Sequence, residues 1–186
     1  MADEVEVKFL VANVEELELK LAEIGFQQKT PPTFERNTLY DVESGKLRSK
    51  GEVLRLRRYG DQWKLTHKAK GTDGRHKTRA EHETTVGSGE EAEAILNALG
   101  FRPAFVYEKY RAEWTDGVGE VVVDRTPIGN LAEIEGMPEW IDGVAAKLGI
   151  AHSAYITKSY AALFEDWKKR TSSKARNMSF EEIRNE

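Results

Sequence analysis

The chain has 186 residues, of which 39% are apolar and 32% charged, and its formal net charge is −4. This length favours one domain with a substantial core, and the acidic balance argues against broad binding to nucleic acids or anionic membranes. Cysteine is absent, which excludes disulfides, thiolate metal sites and cysteine nucleophiles. The acidic N-terminal segment has no long apolar run, so we expect neither a signal peptide nor a membrane span, and a cytoplasmic location.

In the first half of the chain, charged and apolar residues alternate as they do in β-strands. In "EVEVKF", Glu4, Glu6 and Lys8 alternate with apolar residues, which predicts a first strand with one charged face. The segment "NVEELELKLAEIGF" then predicts a helix that Asn13 caps and Gly25 ends. Four more strands are predicted at "TFERNTLYDV", "EVLRLRRY", "QWKLTHKAK" and "RAEHETTV", with the loop "GTDGRHK" before the last of them.

The second half mixes helix and strand signals. The segment "SGEEAEAILNALGF" predicts a second capped helix, and "DGVAAKLGI" predicts a short third helix. Strands are predicted at "FVYEKYRAEW", "GEVVVDR" and "NLAEIEG". A last helix is predicted from about Thr157, and the polar composition from Ser172 onward predicts a mobile or loosely docked segment.

Nearly every predicted strand has one apolar face and one face of acids and bases. A solvated sheet face explains any single strand of this kind. However, Arg55 and Arg57 share a face without an intervening acid, and a bound anion would relieve their repulsion. Taken together, the strands favour a sheet curled into a barrel with a charged lumen. Because Arg and Lys suit phosphate oxygens and carboxylates suit divalent cations, both signs together indicate a polyphosphate with its metal.

The segment "EVEVKF" resembles the Glu-x-Glu-x-Lys signature of the CYTH superfamily, which includes class IV adenylyl cyclases, thiamine triphosphatases and inorganic triphosphatases. The likeness continues in family order through "NTLYD", "LRLR", "LTHKAKG", "RAEHE", "EKYR", "VVVD" and "LAEIEG", and ends at "YITKSY". The resemblance implies an α+β fold, in which helices pack outside an antiparallel eight-stranded β-barrel whose charged lumen is a triphosphate tunnel. It implies a tunnel domain at residues 1–164 and a helical or flexible tail at residues 165–186.

The resemblance also implies roles for individual residues. It assigns metal binding to the carboxylates of Glu4, Glu6, Glu81, Asp124, Glu133 and Glu135. It assigns substrate binding to the cations of Lys8, Arg55, Arg57, Lys68, Arg79, Lys109, Arg111 and Lys158. The implied catalytic residues are Glu4, Glu6, Lys8 and Arg57. Two roles remain open for Glu81, which either orders basic side chains or contacts the metal. Arg36 stands where the family often has Gln.

Three functions are compatible with these residues. The first is hydrolysis of a triphosphate with Mg²⁺ or Mn²⁺, and the second is the class IV adenylyl cyclase reaction, from ATP to cyclic AMP and pyrophosphate. The third is a polyphosphate-binding module without turnover. Hydrolysis is favoured because no residue pattern identifies an adenine pocket. The expected ligand is tripolyphosphate, ATP or thiamine triphosphate, with no nucleic-acid or membrane partner, and the expected state is a monomer or homodimer.

Overall fold

The computed structural model describes residues 3–72 and 74–185, except for the side chains of Asp3 and Glu4. Eight antiparallel strands form a closed barrel in the order β1-β5-β4-β3-β2-β6-β7-β8. The strands are β1 (Asp3–Leu10), β2 (Gln27–Asp41), β3 (Val53–Tyr59), β4 (Gln62–Lys68), β5 (Lys77–Val86), β6 (Arg102–Thr115), β7 (Glu120–Thr126) and β8 (Gly129–Glu135). The barrel closes because β1 pairs with β5 on one side and with β8 on the other.

Helices surround this barrel. They are α1 (Val14–Glu23), α2 (Lys46–Lys50), α3 (Gly89–Ala98), α4 (Pro138–Leu148), α5 (Tyr160–Thr171) and α6 (Phe180–Arg184), with a 3₁₀ turn at His152–Ala154. The predicted α+β class, with an eight-stranded antiparallel barrel and helices outside, is confirmed. Over the described residues, none of the helices has the length and apolar content needed to cross a membrane.

The largest core lies between the outer face of the barrel and helices α1 and α4. On β1, Val7 and Phe9 point outward into this core, while Glu6 and Lys8 point the other way, because successive side chains of a strand alternate. Leu21 of α1 and the apolar face of α4 cover them. Complete burial of each large apolar side chain contributes about 1.5–3 kcal/mol. The same alternation that builds the core therefore turns the charges into the lumen.

Helix α5 packs across one end of the barrel. Its residues Tyr160 and Phe164 form a buried cluster with Tyr107 of β6 and Leu131 of β8. Tyr107 and Leu131 occupy lumen-facing positions of their strands, since they share strand faces with charged lumen residues. The N-terminal turn of α5 therefore reaches the interior of the barrel.

Strand β2 and helix α4 begin four or more residues earlier than the sequence pattern predicts. Strand β2 starts at Gln27 rather than at Thr33. It accommodates Pro31 and Pro32 because its pairing with β6 shifts register across them, between Thr30 and Thr33. Helix α4 starts at Pro138, which stands at the first helical position, where a missing backbone N–H does no harm.

The chain after α5 is docked, which differs from the predicted mobile or loosely docked segment. Ala175 and Met178 are buried, and Met178 forms a backbone bridge with Tyr107. The amide oxygen of Asn177 accepts a hydrogen bond from the backbone N–H of Val106 at 2.9 Å. The polar composition gave no sign of these contacts, because a few apolar side chains are enough to attach a short segment.

The turn between β6 and β7 leaves no room for a side chain at Gly119. A Cβ atom there would lie 2.5 Å from ring carbons of Trp140 and 2.8 Å from the backbone oxygen of Glu135. The Trp140 ring is held in place by donating a hydrogen bond from Nε1 to Asp116 at 2.9 Å. We expect Gly119→Ala to lower the free energy of unfolding by about 1–3 kcal/mol, measured by urea denaturation.

Gly143 provides the matched control for this substitution. It lies inside α4, and a Cβ atom there meets nothing within 4 Å. Gly143→Ala should raise the free energy of unfolding by about 0.5–1 kcal/mol, because alanine favours the helix. Equal stability of Gly119→Ala and the wild type would contradict the position of Trp140 against the turn.

Candidate active site

Charged side chains from most strands converge on one cavity of about 1320 Å³ inside the barrel. Its charged lining includes Glu6, Lys8, Arg55, Arg57, Lys64, Lys68, Lys77, Arg79, Glu81, Glu83, Lys109, Arg111, Glu113, Glu120, Glu133 and Glu135. Of the site residues predicted from sequence, all but Glu4 and Asp124 line this cavity. The side chain of Glu4 lies outside the described residues. Its strand position is opposite Arg79 of β5.

Lys8 lies between two carboxylates in the lumen. Its Nζ is 2.8 Å from Glu6 Oε1 and 3.3 Å from Glu133 Oε1, and all three residues are buried. Burial would lower the pKa of Lys8, but Glu133 and Glu6 raise it above its ordinary value. Burial would likewise raise the pKa of Glu133, but Arg111 and Lys8 hold it well below its ordinary value. Lys8 and Glu133 are therefore fixed charges near neutral pH.

Asp124 of β7 lies behind the cavity wall and is fully buried. Lys109 Nζ donates to its Oδ2 at 2.9 Å, and Arg111 binds both oxygens, with Nε 2.8 Å from Oδ1 and Nη2 2.6 Å from Oδ2. The Tyr160 hydroxyl donates to Oδ2 at 2.5 Å. The carboxylate thus accepts four hydrogen bonds and orders two cations. Its predicted metal role stays a prediction.

Glu35 of β2 is a lumen-side carboxylate that sequence reasoning missed. It is fully buried, its Oε1 accepts from Asn37 at 2.8 Å, and it lies 3.5 Å from Lys109 Nζ and 3.8 Å from Arg57 Nη1. Burial raises the pKa of Glu35, but Lys109, Arg111 and Arg57 lower it to about 2. Its charged form therefore contributes stability above the unfolded pKa of about 4.3, which is lost as the pH falls towards 2.

Three further lumen residues were also missed. Tyr160 places its ring 4.5 Å from Lys109 Nζ and 5.8 Å from Lys8 Nζ. Tyr107 stacks on Tyr160, and its hydroxyl accepts from Arg55 at 3.4 Å. Lys77 lies 3.7 Å from Glu6 Oε1. Lys77 and Tyr107 lie on the same strand faces as predicted site residues, which is a signal that could have found them. The role of Tyr160 could not be found in this way, because it depends on where α5 crosses the barrel.

Acids within the barrel already compensate the arginine pair on β3. Glu83 of β5 accepts hydrogen bonds from Arg57 at 3.1 Å and from Arg55 at 3.5 Å, and it also pairs with Lys64 at 2.7 Å. No acid stands between the two arginines on β3 itself, but their long side chains reach across β4 to Glu83 of β5, so a bound anion is not the only group that offsets their repulsion. The cluster still lines the cavity, where a phosphate chain would compete with Glu83 for the same donors.

The remaining predicted residues lie as follows. Glu81 pairs with Lys68 at 2.7 Å, which is a contact of the kind expected if Glu81 orders basic side chains. Lys158, just before α5, lines the cavity and pairs with Asp166 at 2.6 Å. Arg36 is exposed and pairs with Glu108 at 2.6 Å, on the face of β2 opposite to Glu35. The roles implied for Lys68, Glu81 and Lys158 stay predictions.

We expect Arg57→Ala to weaken the binding of tripolyphosphate about tenfold or more, because a hydrogen bond to a charged group contributes about 1.5–3 kcal/mol. Isothermal titration calorimetry without metal measures this affinity. Arg58→Ala is the matched control, since Arg58 is the next residue of β3, points outward and donates to the backbone oxygen of Gly60. If Arg57→Ala binds tripolyphosphate as tightly as Arg58→Ala, the lumen is not the binding site.

Carboxylates gather on three adjacent strands at one level of the barrel. The register places Glu6 opposite Glu135, and Glu135 opposite Glu120. Like charges in directly opposed positions repel each other, and a divalent cation would offset this repulsion. Glu6 Oε1 receives no hydrogen bond of good geometry from the described residues. These oxygen donors fit Mg²⁺ or Mn²⁺, although among the described side chains no three acids or histidines are arranged to hold a metal ion.

The fold and the lumen define a closed antiparallel tunnel lined by both acids and bases. The model of the CYTH domain matches residues 2–156, and the chain belongs to the CYTH family. The resemblance drawn from "EVEVKF" and the motifs after it is therefore confirmed. A comparison with curated proteins finds no match.

Solved structures share this fold. A proposed adenylate cyclase from Vibrio parahaemolyticus is 19% identical, with a TM-score of 0.78, over 87% of this chain and 97% of the other. A protein from Pyrococcus horikoshii is 24% identical, with a TM-score of 0.74, over 86% and 98% of the two chains. A proposed adenylyl cyclase from Hippeastrum, described as having a dominant triphosphatase activity, is 19% identical, with a TM-score of 0.65, over 89% and 96%. At these identities the likeness carries the fold alone.

Proposed function

We propose that the protein hydrolyses a triphosphate, inorganic or organic, inside the barrel with the help of Mg²⁺ or Mn²⁺. The observation that carries the proposal is the convergence of both charge signs on one cavity. Lys8, Arg55, Lys68 and Arg111 come from four different strands and line the same space. The opposed glutamates of β1 and β8 line it too. A site for polyanions alone gains nothing from these acids, which argues against a non-catalytic binding module.

The cations bind and orient the phosphate chain. Arg55 and Arg57 present guanidinium groups that match phosphate oxygens two at a time. Lys8, whose pKa is raised by Glu133 and Glu6 against the effect of burial, keeps its proton and stabilises charge that develops on phosphate oxygens in the transition state. Lys109 and Arg111 are held in place by Asp124, so no reorganisation is needed when charge develops.

The metal role falls to the acidic side of the cavity. Glu6 and Glu135, with Glu4 on the same strand as Glu6, would hold the cation. When bound there, Mg²⁺ or Mn²⁺ supplies neutralisation of phosphate charge and polarisation of water. Glu133 is an unsuitable proton acceptor, because Arg111 and Lys8 hold its pKa well below its ordinary value in spite of burial. We therefore assign Glu4, Glu6, Lys8 and Arg57 as the catalytic residues, and Glu133 as a fixed counterion and candidate metal ligand.

Product analysis tests this proposal. Tripolyphosphate and ATP are supplied separately with Mg²⁺ or Mn²⁺, and the products are separated by chromatography. We expect orthophosphate from tripolyphosphate and little cyclic AMP from ATP. Cyclic AMP with equimolar pyrophosphate would overturn hydrolysis in favour of the cyclase. Binding without any product would favour the binding module.

One observation favours keeping the cyclase as the second candidate. Three apolar side chains of β2, β3 and β6, those of Leu39, Val53 and Phe105, line the cavity towards the end of the barrel near α5. Leu39 lies opposite Phe105 in the pairing of β2 with β6, whereas its partner on β3 is Arg55 rather than Val53, so these residues form an apolar patch beside the charged region. Such a patch offers a surface for the base of a nucleotide. The ATP arm of the product analysis decides between the two reactions.

A further inference from the structure

Asp142 lies outside the cavity and ties together three parts of the chain. It belongs to α4, and its side chain is 20% exposed. Its Oδ1 lies 2.9 Å from His76 Nε2 and accepts from the Tyr155 hydroxyl at 3.1 Å, while its Oδ2 lies 2.5 Å from Arg75 Nη2. His152 Nε2 is 3.5 Å from Oδ1. One carboxylate therefore fastens both the β4–β5 connection and the segment after α4 to the same helix.

The first fastened segment leads directly into the cavity wall. His76 is followed by Lys77, which is buried, lines the cavity and approaches Glu6. On the other side of the connection, Lys70 and Gly71 also line the cavity. The connection contains Gly71 and Gly74, which leave its backbone with much conformational freedom. Its position therefore depends on anchors such as the contact of His76 with Asp142.

The second fastened segment also borders the cavity. Tyr155 is followed by Ile156, which exchanges two backbone hydrogen bonds with Lys8, at 2.8 and 2.9 Å. The next residues, Thr157 and Lys158, line the cavity. A shift at Tyr155 therefore alters the strand edge that holds Lys8 and the start of α5.

We propose that Asp142 is a positioning residue for substrate binding, which holds Lys77 and Lys8 at the cavity wall through its contacts with His76 and Tyr155. This inference rests on the proposed function, since the two lysines are taken to face the phosphates. Asp142 itself touches neither the cavity nor its lining cations. Its effect falls on the affinity for the phosphate chain through Lys77, since Lys8 is also held by its ion pairs with Glu6 and Glu133 and keeps its part in the chemical step.

The test uses the full chain and tripolyphosphate with Mg²⁺. We expect Asp142→Ala to raise KM about tenfold, equivalent to about 1.4 kcal/mol, with kcat changed less than about twofold. Asp142→Asn keeps an oxygen that accepts from Tyr155 and should recover part of the affinity. Tyr155→Phe removes one hydroxyl, so it provides a milder variant if Asp142→Ala does not fold, and its KM should rise by a smaller factor.

Asp116→Ala is the matched control, because Asp116 also anchors a turn through backbone N–H groups and a side chain, yet it holds neither segment. It should lower the melting temperature without raising KM. Hydrogen exchange reports on the segments independently of turnover. The amides of Thr72, Thr78 and Ile156, which are hydrogen-bonded, should exchange faster in Asp142→Ala than in the wild type and Asp116→Ala.

Three results would overturn the inference. The first is a folded Asp142→Ala variant with wild-type KM, and the second is a loss confined to kcat. The third is unchanged exchange of the three amides in Asp142→Ala. If the wild type neither binds nor hydrolyses any triphosphate, that result contradicts the proposed function itself. Faster exchange in Asp142→Ala would then assign Asp142 a structural role only.

Discussion

Glu6→Gln should reduce the turnover of tripolyphosphate by about 10³-fold while leaving the fold intact. Glu6 is buried in the lumen, opposite Glu135 and 2.8 Å from Lys8. Glutamine keeps the size of the side chain but removes the charge that a divalent cation requires. A loss of this size corresponds to about 4 kcal/mol of transition-state stabilisation, within the several kcal/mol that metal-assisted charge stabilisation contributes. Steady-state orthophosphate release at saturating Mg²⁺ measures the effect.

Glu4→Gln should behave in the same way, since position 4 shares a strand face with position 6. The control is Glu91→Gln, at an exposed position in the first turn of α3, which should retain wild-type turnover. Circular dichroism and the melting temperature establish that each variant is folded. Wild-type turnover of Glu6→Gln at saturating metal would remove Glu6 from the mechanism.

Asp124→Asn should lower the free energy of unfolding by about 3–5 kcal/mol, because it leaves Lys109 and Arg111 buried without their shared counterion. Lys109 is 2% exposed and Asp124 is fully buried, so water cannot take over the role of the carboxylate. Urea denaturation measures the loss, and the slope of the free energy of unfolding against urea concentration is compared with that of the wild type. Arg111 keeps its contact with Glu133 at 2.8 Å, whereas Lys109 keeps only its longer contact with Glu35 at 3.5 Å, and the lysine therefore bears most of the effect.

Asp61→Asn is the control for this substitution, since the Asp61 side chain is fully exposed in the turn between β3 and β4. We expect it to leave stability unchanged within error. A stable Asp124→Asn variant that binds Mn²⁺ more weakly than the wild type would instead place Asp124 among the metal ligands. That result would support the role implied by the family resemblance over the buried ion pairs.

Strand alternation made the charged lumen predictable from sequence. On β1, β3 and β5, charged residues recur at every second position and so lie on one face of the strand. This pattern can be read from a few neighbouring residues. On β2, by contrast, Phe34, Arg36 and Thr38 alternate with Glu35 and Asn37, so both faces are partly polar. The alternation of side chains therefore gave no signal for Glu35, and its place between Lys109 and Arg57 follows from the pairing of β2 with β6 and with β3.

Contacts between distant segments could not be predicted from local patterns. Glu83 neutralises Arg55 and Arg57 across an intervening strand, which depends on barrel curvature and side-chain length. Tyr160 enters the lumen because α5 crosses the barrel end. The contact of His76 with Asp142 spans 66 residues. The motif resemblance supplied most candidate residues of the cavity, whereas the counterions and anchors around them required the structure.

A crystal structure with tripolyphosphate and Mg²⁺ tests the central claim most directly. We predict the phosphate chain inside the barrel, with oxygens within about 3 Å of nitrogens of Lys8, Arg55 and Arg57, and the cation bound by Glu6 and Glu135. In that complex Glu83 should release at least one of the two arginines to phosphate. Tripolyphosphate bound only on the outer surface, with Arg55 and Arg57 still paired to Glu83, would contradict the account.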